Sequence, residues 1–226
     1  MKNRLNSWLS SSIGSHLDNK NYPDSALWCA FATVSIASPE AEAIRYDGAS
    51  FSFHELYDQA IQMCSYLRSS GVLAGERIGI NLPKNIGLLA HVLACWKIGA
   101  SVLIFERDIS REELNRKVAN ANLHAIIVEE EGNYAGIDCN IILAYEVGTE
   151  VDSISKSLTP IGSYTPLSEE NSLACMVFTS GSTSLSKCVC LSHFGLLGVI
   201  RGLINHYDLK AESRIGWTAS LSFDSA

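Results

Sequence analysis

The sequence lacks the features that mark membrane, secreted and nucleic-acid-binding proteins. None of its apolar stretches approaches the length of a membrane span, and the N-terminus has no apolar run of signal-peptide length. Charged residues make up 18% of the 226 positions, and the formal net charge is −7 with no Lys/Arg cluster. Because a nucleic-acid surface works largely through positive charge, we expect no nucleic-acid partner. These absences predict a cytoplasmic protein that does not bind membranes.

Cysteine is present but gives no sign of a disulfide framework. The seven cysteines are odd in number and scattered, mostly within apolar stretches. This pattern predicts reduced cysteines in the core of a cytosolic protein. Cys188 and Cys190 would share one face of a strand, but no His/Cys cluster offers further ligands, so we predict no metal site.

Helix and strand signals alternate between residues 50 and 145. A turn signal at residues 46–50 predicts a hairpin, and Ser52 and Glu55 form a capping box before a helix over residues 53–69. Further helices are predicted over 85–98 and 110–120, and strands over 77–82, 101–105, 125–128 and 141–143. Because these strands are continuous apolar runs, they favour a parallel sheet covered on both faces, as in doubly wound α/β folds.

The polar, Gly-, Ser- and Thr-containing stretches suggest a division of the chain. We predict a loosely ordered lead-in (1–25), a doubly wound α/β subdomain (26–148), a connector (149–170) and the start of a second α/β subdomain (171–226). In the last segment we expect strands at 173–178 and 189–191, a helix from Ser192 to about His206, and a further strand beginning over 215–220.

The most informative segment runs from Phe178 to Val189 and reads Phe-Thr-Ser-Gly-Ser-Thr-Ser-Leu-Ser-Lys-Cys-Val. Its hydroxyls and backbone N–H groups could surround a polyphosphate, and Lys187 could meet its charge. A Walker-type loop is one interpretation, but residue 186 is Ser rather than Gly and residue 188 is Cys rather than Ser/Thr. A plain Ser/Thr-rich surface loop is another.

A third interpretation comes from a resemblance that extends over residues 25–226. Thr179-Ser180-Gly181-Ser182-Thr183-x-x-x-Lys187 is similar to the phosphate loop of the adenylate-forming (AMP-binding) enzymes. Three other segments resemble motifs of the same family in the right order: 51–56, 96–104 and 189–193. Ser222-Phe223-Asp224-Ser225 resembles the Phe-Asp-x-Ser motif of nonribosomal peptide synthetase adenylation domains, the closest group by motif.

The resemblance implies a fold, a reaction and a set of site residues. The fold would be the N-terminal lobes of the adenylate-forming fold, a largely parallel sheet flanked by helices and incomplete at the C-terminus. The reaction would join a carboxylate to ATP as an acyl-adenylate and release pyrophosphate. ATP would be held by Thr179, Ser180, Gly181, Ser182, Thr183 and Lys187, with Lys187 also catalytic.

Two further residues acquire expected roles from the same resemblance. Asp224 would pair with the α-ammonium of an amino-acid substrate. His193 would either lie near the substrate pocket or only start and pack a helix. Three positions depart from the family pattern, since Ser184, Ser186 and Cys188 replace Gly, Pro and Gly.

The resemblance also implies that part of the machinery lies outside these 226 residues. The Mg²⁺ ligand, the ribose-binding aspartate, most of the substrate pocket and a mobile C-terminal domain with its lysine are expected elsewhere. We therefore expect a catalytically incomplete chain that needs a C-terminal complementing half and a carrier protein as acceptor. The alternative is a non-catalytic scaffold or interaction protein derived from the family.

Overall fold

The computed structural model describes residues 26–130, 134, 136–145, 172–179 and 187–218. The predicted lead-in 1–25 and the predicted connector 149–170 lie outside the described residues. The division of the chain into four segments therefore stays a prediction.

The first described elements are a helix, a hairpin and a second helix. Helix α1 (Ala26–Ala37) is apolar on all sides, so it has no helical period and escaped prediction. Strands β1 (Glu42–Tyr46) and β2 (Ala49–Ser52) form the predicted hairpin, with positive φ at Asp47 and Gly48 as its tight turn requires.

Helix α2 (Phe53–Ser69) has the predicted bounds because its capping box forms. The Ser52 hydroxyl accepts a hydrogen bond from the Glu55 N–H at 3.1 Å, and the Glu55 carboxylate accepts one from the Ser52 N–H at 2.7 Å. Two N–H groups that the first turn would leave without partners are thereby satisfied.

A six-stranded sheet dominates the described residues, in the order β6-β5-β3-β4-β7-β8. Its strands are β3 (Arg77–Asn81), β4 (Ser101–Ile104), β5 (Ala125–Val128), β6 (Asn140–Leu143), β7 (Leu173–Phe178) and β8 (Cys188–Ser192). All neighbours are parallel except β7 and β8, which form an antiparallel pair. Three helices connect or follow these strands: α3 (Ile86–Ile98), α4 (Arg111–Ala121) and α5 (His193–His206).

Helices cover both faces of this sheet, as the continuous apolar strands predicted. Ile78 and Ile80 of β3 belong to the core that α2 and α3 cover, and Ile126 and Val128 of β5 belong to the core under α4. Alternate strand residues thus enter opposite cores, which is why the strands have no polar face. The α/β fold expected from the sequence is confirmed.

Gly79 shows how closely the sheet and its neighbours pack. A Cβ at this position would lie 2.8 Å from a ring carbon of Phe105 and 2.9 Å from a methyl carbon of Leu123. The central strand therefore needs a residue without a side chain here.

The described structure departs from prediction near its C-terminal end. The strand expected over 215–220 is wrong for residues 215–218, which are irregular, while 219 and 220 lie outside the described residues. Ile215 is exposed, and Trp217 packs beside Lys84 instead of pairing with a strand. A short apolar run forms a strand only where a neighbouring strand is available to pair with it.

Strand β7 shares one sheet with the α/β units that precede it. Strand β7 pairs directly with β4, at Val102 with Cys175 and at Leu103 with Met176. The β7–β8 hairpin, which carries the candidate loop, is therefore built onto the same sheet as the preceding α/β units.

Candidate functional site

The candidate phosphate loop is held at both ends by the β7–β8 hairpin. The last ladder pair is Phe178 with Cys188, and just beyond it the Thr179 N–H donates to the Lys187 carbonyl at 3.1 Å. This hydrogen bond places Thr179 and Lys187 side by side, with both residues exposed. The intervening residues 180–186 lie outside the described residues.

The loop lies at the carboxyl edge of the parallel strands. Because β7 runs parallel to β4 and β3, Thr179 leaves the sheet on the same side as the C-terminal ends of those strands. The chain leaves β3 towards α3 on one face and leaves β4 towards α4 on the other. Ligands of open α/β sheets bind at such a carboxyl edge, where neighbouring strands connect to opposite faces.

Polar side chains that were not singled out from the sequence support this edge. Asn81, the buried last residue of β3, donates its amide to the Glu106 carbonyl at 2.9 Å and so links the ends of β3 and β4. The Lys84 ammonium donates to the Trp217 carbonyl at 3.1 Å and lies 4.5 Å from the centre of the Trp217 ring. No local sequence signal reveals these pairings, because their partners are 25 and 133 residues apart.

Helix α4 supports the end of β7 from the opposite face of the sheet. The Lys117 ammonium lies 5.5 Å from the centre of the Phe178 ring and 3.1 Å from the Glu113 carboxylate. Phe178 immediately precedes Thr179, so this contact fixes the strand end from which the loop departs.

The structure does not bring His193 to the loop. His193 and Lys187 lie at opposite ends of β8, and six residue steps along a strand span roughly 20 Å. The His193 N–H donates to the Ser172 carbonyl at 3.1 Å, which places His193 at the amino edge of β7.

His193 instead packs inside the protein as the first residue of α5. Its ring is buried and meets the Trp96 ring edge-on, with centroids 5.8 Å apart. Its Nδ1 has no hydrogen-bond partner among the described residues, and burial lowers the pKa of the imidazole to about 4. A neutral, buried ring favours the packing alternative for His193, and a substrate contact stays a prediction.

The remaining predicted site residues lie outside the described part of the chain. These are Ser180, Gly181, Ser182, Thr183 and Asp224, and their roles stay predictions. Within the described residues, no group of three or more His, Cys, Asp or Glu side chains is arranged to hold a metal ion. None of the described helices is long and apolar enough to cross a membrane.

The chemistry of the described loop ends fits a polyphosphate. Lys187 supplies a positive charge, Thr179 supplies a hydroxyl, and both are open to solvent at the carboxyl edge of the sheet. Sequence comparison identifies the family of the chain. The AMP-binding enzyme family matches residues 31–226.

The chain belongs to the AMP-binding enzyme family.

Its curated relatives include much longer synthases. The chain is 25% identical over 205 residues to enterobactin synthase component F of Escherichia coli O157:H7, a match that covers 89% of this chain and 15% of the relative. It is 26% identical over 203 residues to a linear gramicidin synthase of Brevibacillus parabrevis, covering 86% and 4% respectively. The chain therefore spans a small part of the length of these relatives.

Solved structures of similar proteins share the fold. The N-terminal subdomain of Klebsiella oxytoca NpsA superposes with a TM-score of 0.64 at 21% identity, over 76% of this chain and 43% of that one. VinN, solved with 3-methylaspartate, superposes with a TM-score of 0.66 at 19% identity, over 82% of this chain and 52% of that one. The chain therefore shares the fold of these two proteins.

Proposed function

We propose that the chain forms the ATP-gripping part of a ligase that activates a carboxylate, with an amino acid as the substrate. The observation that carries this proposal is the hydrogen bond that joins Thr179 to Lys187 at the carboxyl edge of the sheet. It sets the two described ends of the loop beside each other, where β- and γ-phosphates could be held.

The proposed reaction is substitution at the α-phosphorus of ATP. A carboxylate oxygen forms a bond to this phosphorus. The bond between this phosphorus and the oxygen that bridges the α- and β-phosphates breaks. The electron pair of that bond leaves with pyrophosphate, which gains negative charge. An ammonium and hydroxyl donors placed around the leaving group stabilise this charge in the transition state.

Lys187 and Thr179 have the chemistry for this task. The Lys187 ammonium would neutralise charge on the β- and γ-phosphates, and the Thr179 hydroxyl would donate to a phosphate oxygen. Ser180, Gly181, Ser182 and Thr183 would complete the grip. Mg²⁺, when bound, would supply further positive charge on the phosphates, and its protein ligand is expected outside the chain.

Two observations on similar proteins support an amino-acid substrate. VinN was solved with 3-methylaspartate, which is an amino acid. The relatives that match over most of this chain include a synthase of linear gramicidin, which is a peptide. In this chain, Asp224 is the carboxylate proposed to pair with the substrate α-ammonium.

Structures of NpsA support a proposal about the partners of this chain. NpsA has been studied as an artificially fused adenylation–PCP di-domain, which supports a carrier protein as the acceptor of the activated acyl group. Because the chain spans less than half of the NpsA subdomain, we further propose that turnover requires a complementing part of the fold.

Carboxylate-dependent exchange of pyrophosphate into ATP tests the proposal. We expect no exchange by the 226-residue chain alone, and exchange once the rest of an adenylate-forming domain is joined to it. Robust exchange by the chain alone would contradict the need for a complementing part. Exchange that Lys187→Ala leaves unchanged in the joined protein would contradict the role of the loop.

A further inference from the structure

Strand β8 carries two cysteines beside the candidate phosphate loop. Cys188 follows Lys187 directly, and Cys190 stands two positions later. Residues two apart in a strand share one face, so both thiols project from the same side of β8. The Cys188 and Cys190 sulfurs lie within hydrogen-bonding distance of each other. The hairpin that holds the loop therefore presents a pair of adjoining thiols.

One thiol of this pair is open to solvent. All seven cysteines lie in the described part of the chain, and Cys190 alone among them is exposed. Cys188 is half-buried, whereas Cys64 and Cys95 are buried in the core. Exposure of the sulfur favours cysteine oxidation, and redox-sensing cysteines often stand next to a second, resolving thiol. A small dissolved oxidant should therefore react first at Cys190, with Cys188 as the thiol beside it.

The other cysteine of the hairpin, Cys175 of β7, is placed differently. It packs against the core that α2 and α3 cover, whereas Cys188 packs against the core under α4. These two cysteines thus face opposite sides of the sheet, and Cys190 shares the side of Cys188. Cys188 is therefore the partner that the strand offers to Cys190.

The pair lies at the base of the loop. Cys188 forms the last ladder pair of the hairpin, with Phe178, and just beyond it the Thr179 N–H donates to the Lys187 carbonyl at 3.1 Å. A change in the path of β8 between residues 188 and 190 is therefore transmitted to both described ends of the loop.

A disulfide between these two positions is within reach, but it requires β8 to bend. Cα atoms two residues apart in a strand are roughly 6.6 Å apart, near the upper limit of about 6.8 Å for a disulfide. Closing the bond would draw residues 188 and 190 together and push Val189 away from its ladder partner, Val177. Exposed disulfides of this kind are readily reduced again, which is typical of regulatory bonds.

We propose that Cys188 and Cys190 form a thiol-oxidation site, at which a hydroperoxide converts the two thiols into a disulfide and thereby opens the base of the loop. The site and its effect on the hairpin rest on the placement and exposure of the two thiols. Its effect on ATP binding rests on the proposed function.

The reaction takes two steps. The Cys190 thiolate sulfur forms a bond to one peroxide oxygen, the O–O bond breaks, and the other oxygen leaves as water or an alcohol with the proton that Cys190 has lost. The Cys188 sulfur then attacks the sulfenic sulfur, the S–O bond breaks, and hydroxide leaves as water with the Cys188 proton. Burial and the adjacent Cys190 raise the pKa of Cys188, so its proton is available for this step. Two thiols are oxidised and one hydroperoxide is reduced.

Mass spectrometry of the 226-residue chain tests the site. Trypsin cleaves after Lys187 and Arg201, and the peptide 188–201 contains Cys188 and Cys190 as its only cysteines. After treatment with hydrogen peroxide, we expect this peptide to be lighter by two hydrogen atoms and to resist alkylation. Dithiothreitol should restore both thiols.

Three variants identify the reacting sulfurs. Cys188→Ser should stop at the sulfenic acid of Cys190, which dimedone traps as a stable adduct. Cys190→Ser should remain reduced at position 188. Cys175→Ser is the matched control in the same hairpin, and its peptide 188–201 should be oxidised as in the unchanged chain.

Hydrogen exchange tests the effect on the loop without relying on ATP. Loss of the Thr179–Lys187 hydrogen bond should speed exchange of the Thr179 amide roughly tenfold in the oxidised chain. ATP binding, measured by calorimetry, should weaken by about the same factor and recover with dithiothreitol. The double variant C188S/C190S should show neither response to peroxide.

Three results would overturn the proposal. The first is a peptide 188–201 that keeps both thiols after treatment with peroxide and with diamide, a second thiol oxidant. The second is a disulfide that joins two chains through Cys190, visible on a non-reducing gel. The third is an internal disulfide that leaves Thr179 exchange unchanged. A reduced chain that forms the disulfide, shows faster Thr179 exchange and yet never binds ATP would support the site and count against the proposed function alone.

Discussion

Helices α3 and α5 have nearly the same length and similarly apolar sequences, yet α3 is mostly buried and α5 is mostly exposed. Helix α3 has nine buried residues among its 13, whereas α5 has two among its 14. Helix α3 lies against the centre of the sheet, and α5 follows β8, the outermost strand on one side of the sheet. An apolar sequence thus indicates that a helix has a partner surface, but not that the partner is among its described neighbours.

The largest difference between the two helices should appear when a leucine of each is truncated. Leu88 in α3 is fully buried and Leu203 in α5 is 46% exposed. Leu88→Ala should lower the free energy of unfolding by about 2–5 kcal/mol, because it removes buried methyl groups and leaves a cavity. Leu203→Ala should lower it by less than about 1 kcal/mol. Urea unfolding measures both, and equal losses would contradict the contrast.

Acid should destabilise the protein through the one histidine that each helix buries. Burial lowers the pKa of His193 from 6.5 to about 4, and it also lowers the pKa of His91 in α3. Between these pH values the unfolded chain binds a proton at position 193 and the folded chain does not. The free energy of unfolding should therefore fall as the pH drops from 6.5 to about 4, by at most about 3 kcal/mol for His193.

Substitution of His193 separates its contribution to the pH dependence of the unfolding free energy from the contribution of His91. His193→Gln should flatten the dependence of unfolding free energy on pH in this window. Urea unfolding at about pH 7 and about pH 4.5, on either side of the ordinary histidine pKa, gives the comparison. An unaltered pH dependence in His193→Gln would show that the imidazole is not buried in its neutral form.

Loss of a helix cap should have the smallest effect on the free energy of unfolding. Its effect should spread over the whole fold for α2 but stay local for α5. Ser52 caps α2, whose inner side is buried in the core. The Ser192 hydroxyl accepts a hydrogen bond from the Gly195 N–H at 3.1 Å and so caps α5. Either Ser→Ala change should cost about 1 kcal/mol. Ser52→Ala should lower global stability, whereas Ser192→Ala should mainly speed hydrogen exchange in α5, where little packing resists local opening. Equal global losses would contradict this difference.

The sequence predicted helix α2 and the β1–β2 hairpin well because the signals for these elements are local. Capping at Ser52 and the turn at Gly48 depend on residues within a few positions of each other, and the bounds of α2 and the hairpin followed from them. Helix α1 was missed because a helix that is apolar all round shows no period. Helix α1 is stabilised by packing against α2 and the sheet, and a pattern among neighbouring residues does not reveal such packing.

The candidate site was less predictable because sequence proximity misleads across a strand. His193 follows Lys187 by six positions, but the extended β8 carries it to the opposite edge of the sheet. Lys84 and Trp217 meet from distant positions, and neither carried a local signal. The loop itself was recognised through the order of several motifs rather than through its own composition.

The central claim is that Lys187 and its loop grip the phosphates of ATP, and calorimetric titration of the chain with ATP tests it most directly. Hydrogen bonds to charged groups contribute about 1.5–3 kcal/mol, so Lys187→Ala should weaken ATP binding about tenfold or more. Lys210→Ala is the matched control, an exposed lysine outside the sheet edge, and should bind ATP like the unchanged chain. Equal ATP affinity in Lys187→Ala and Lys210→Ala would contradict the account.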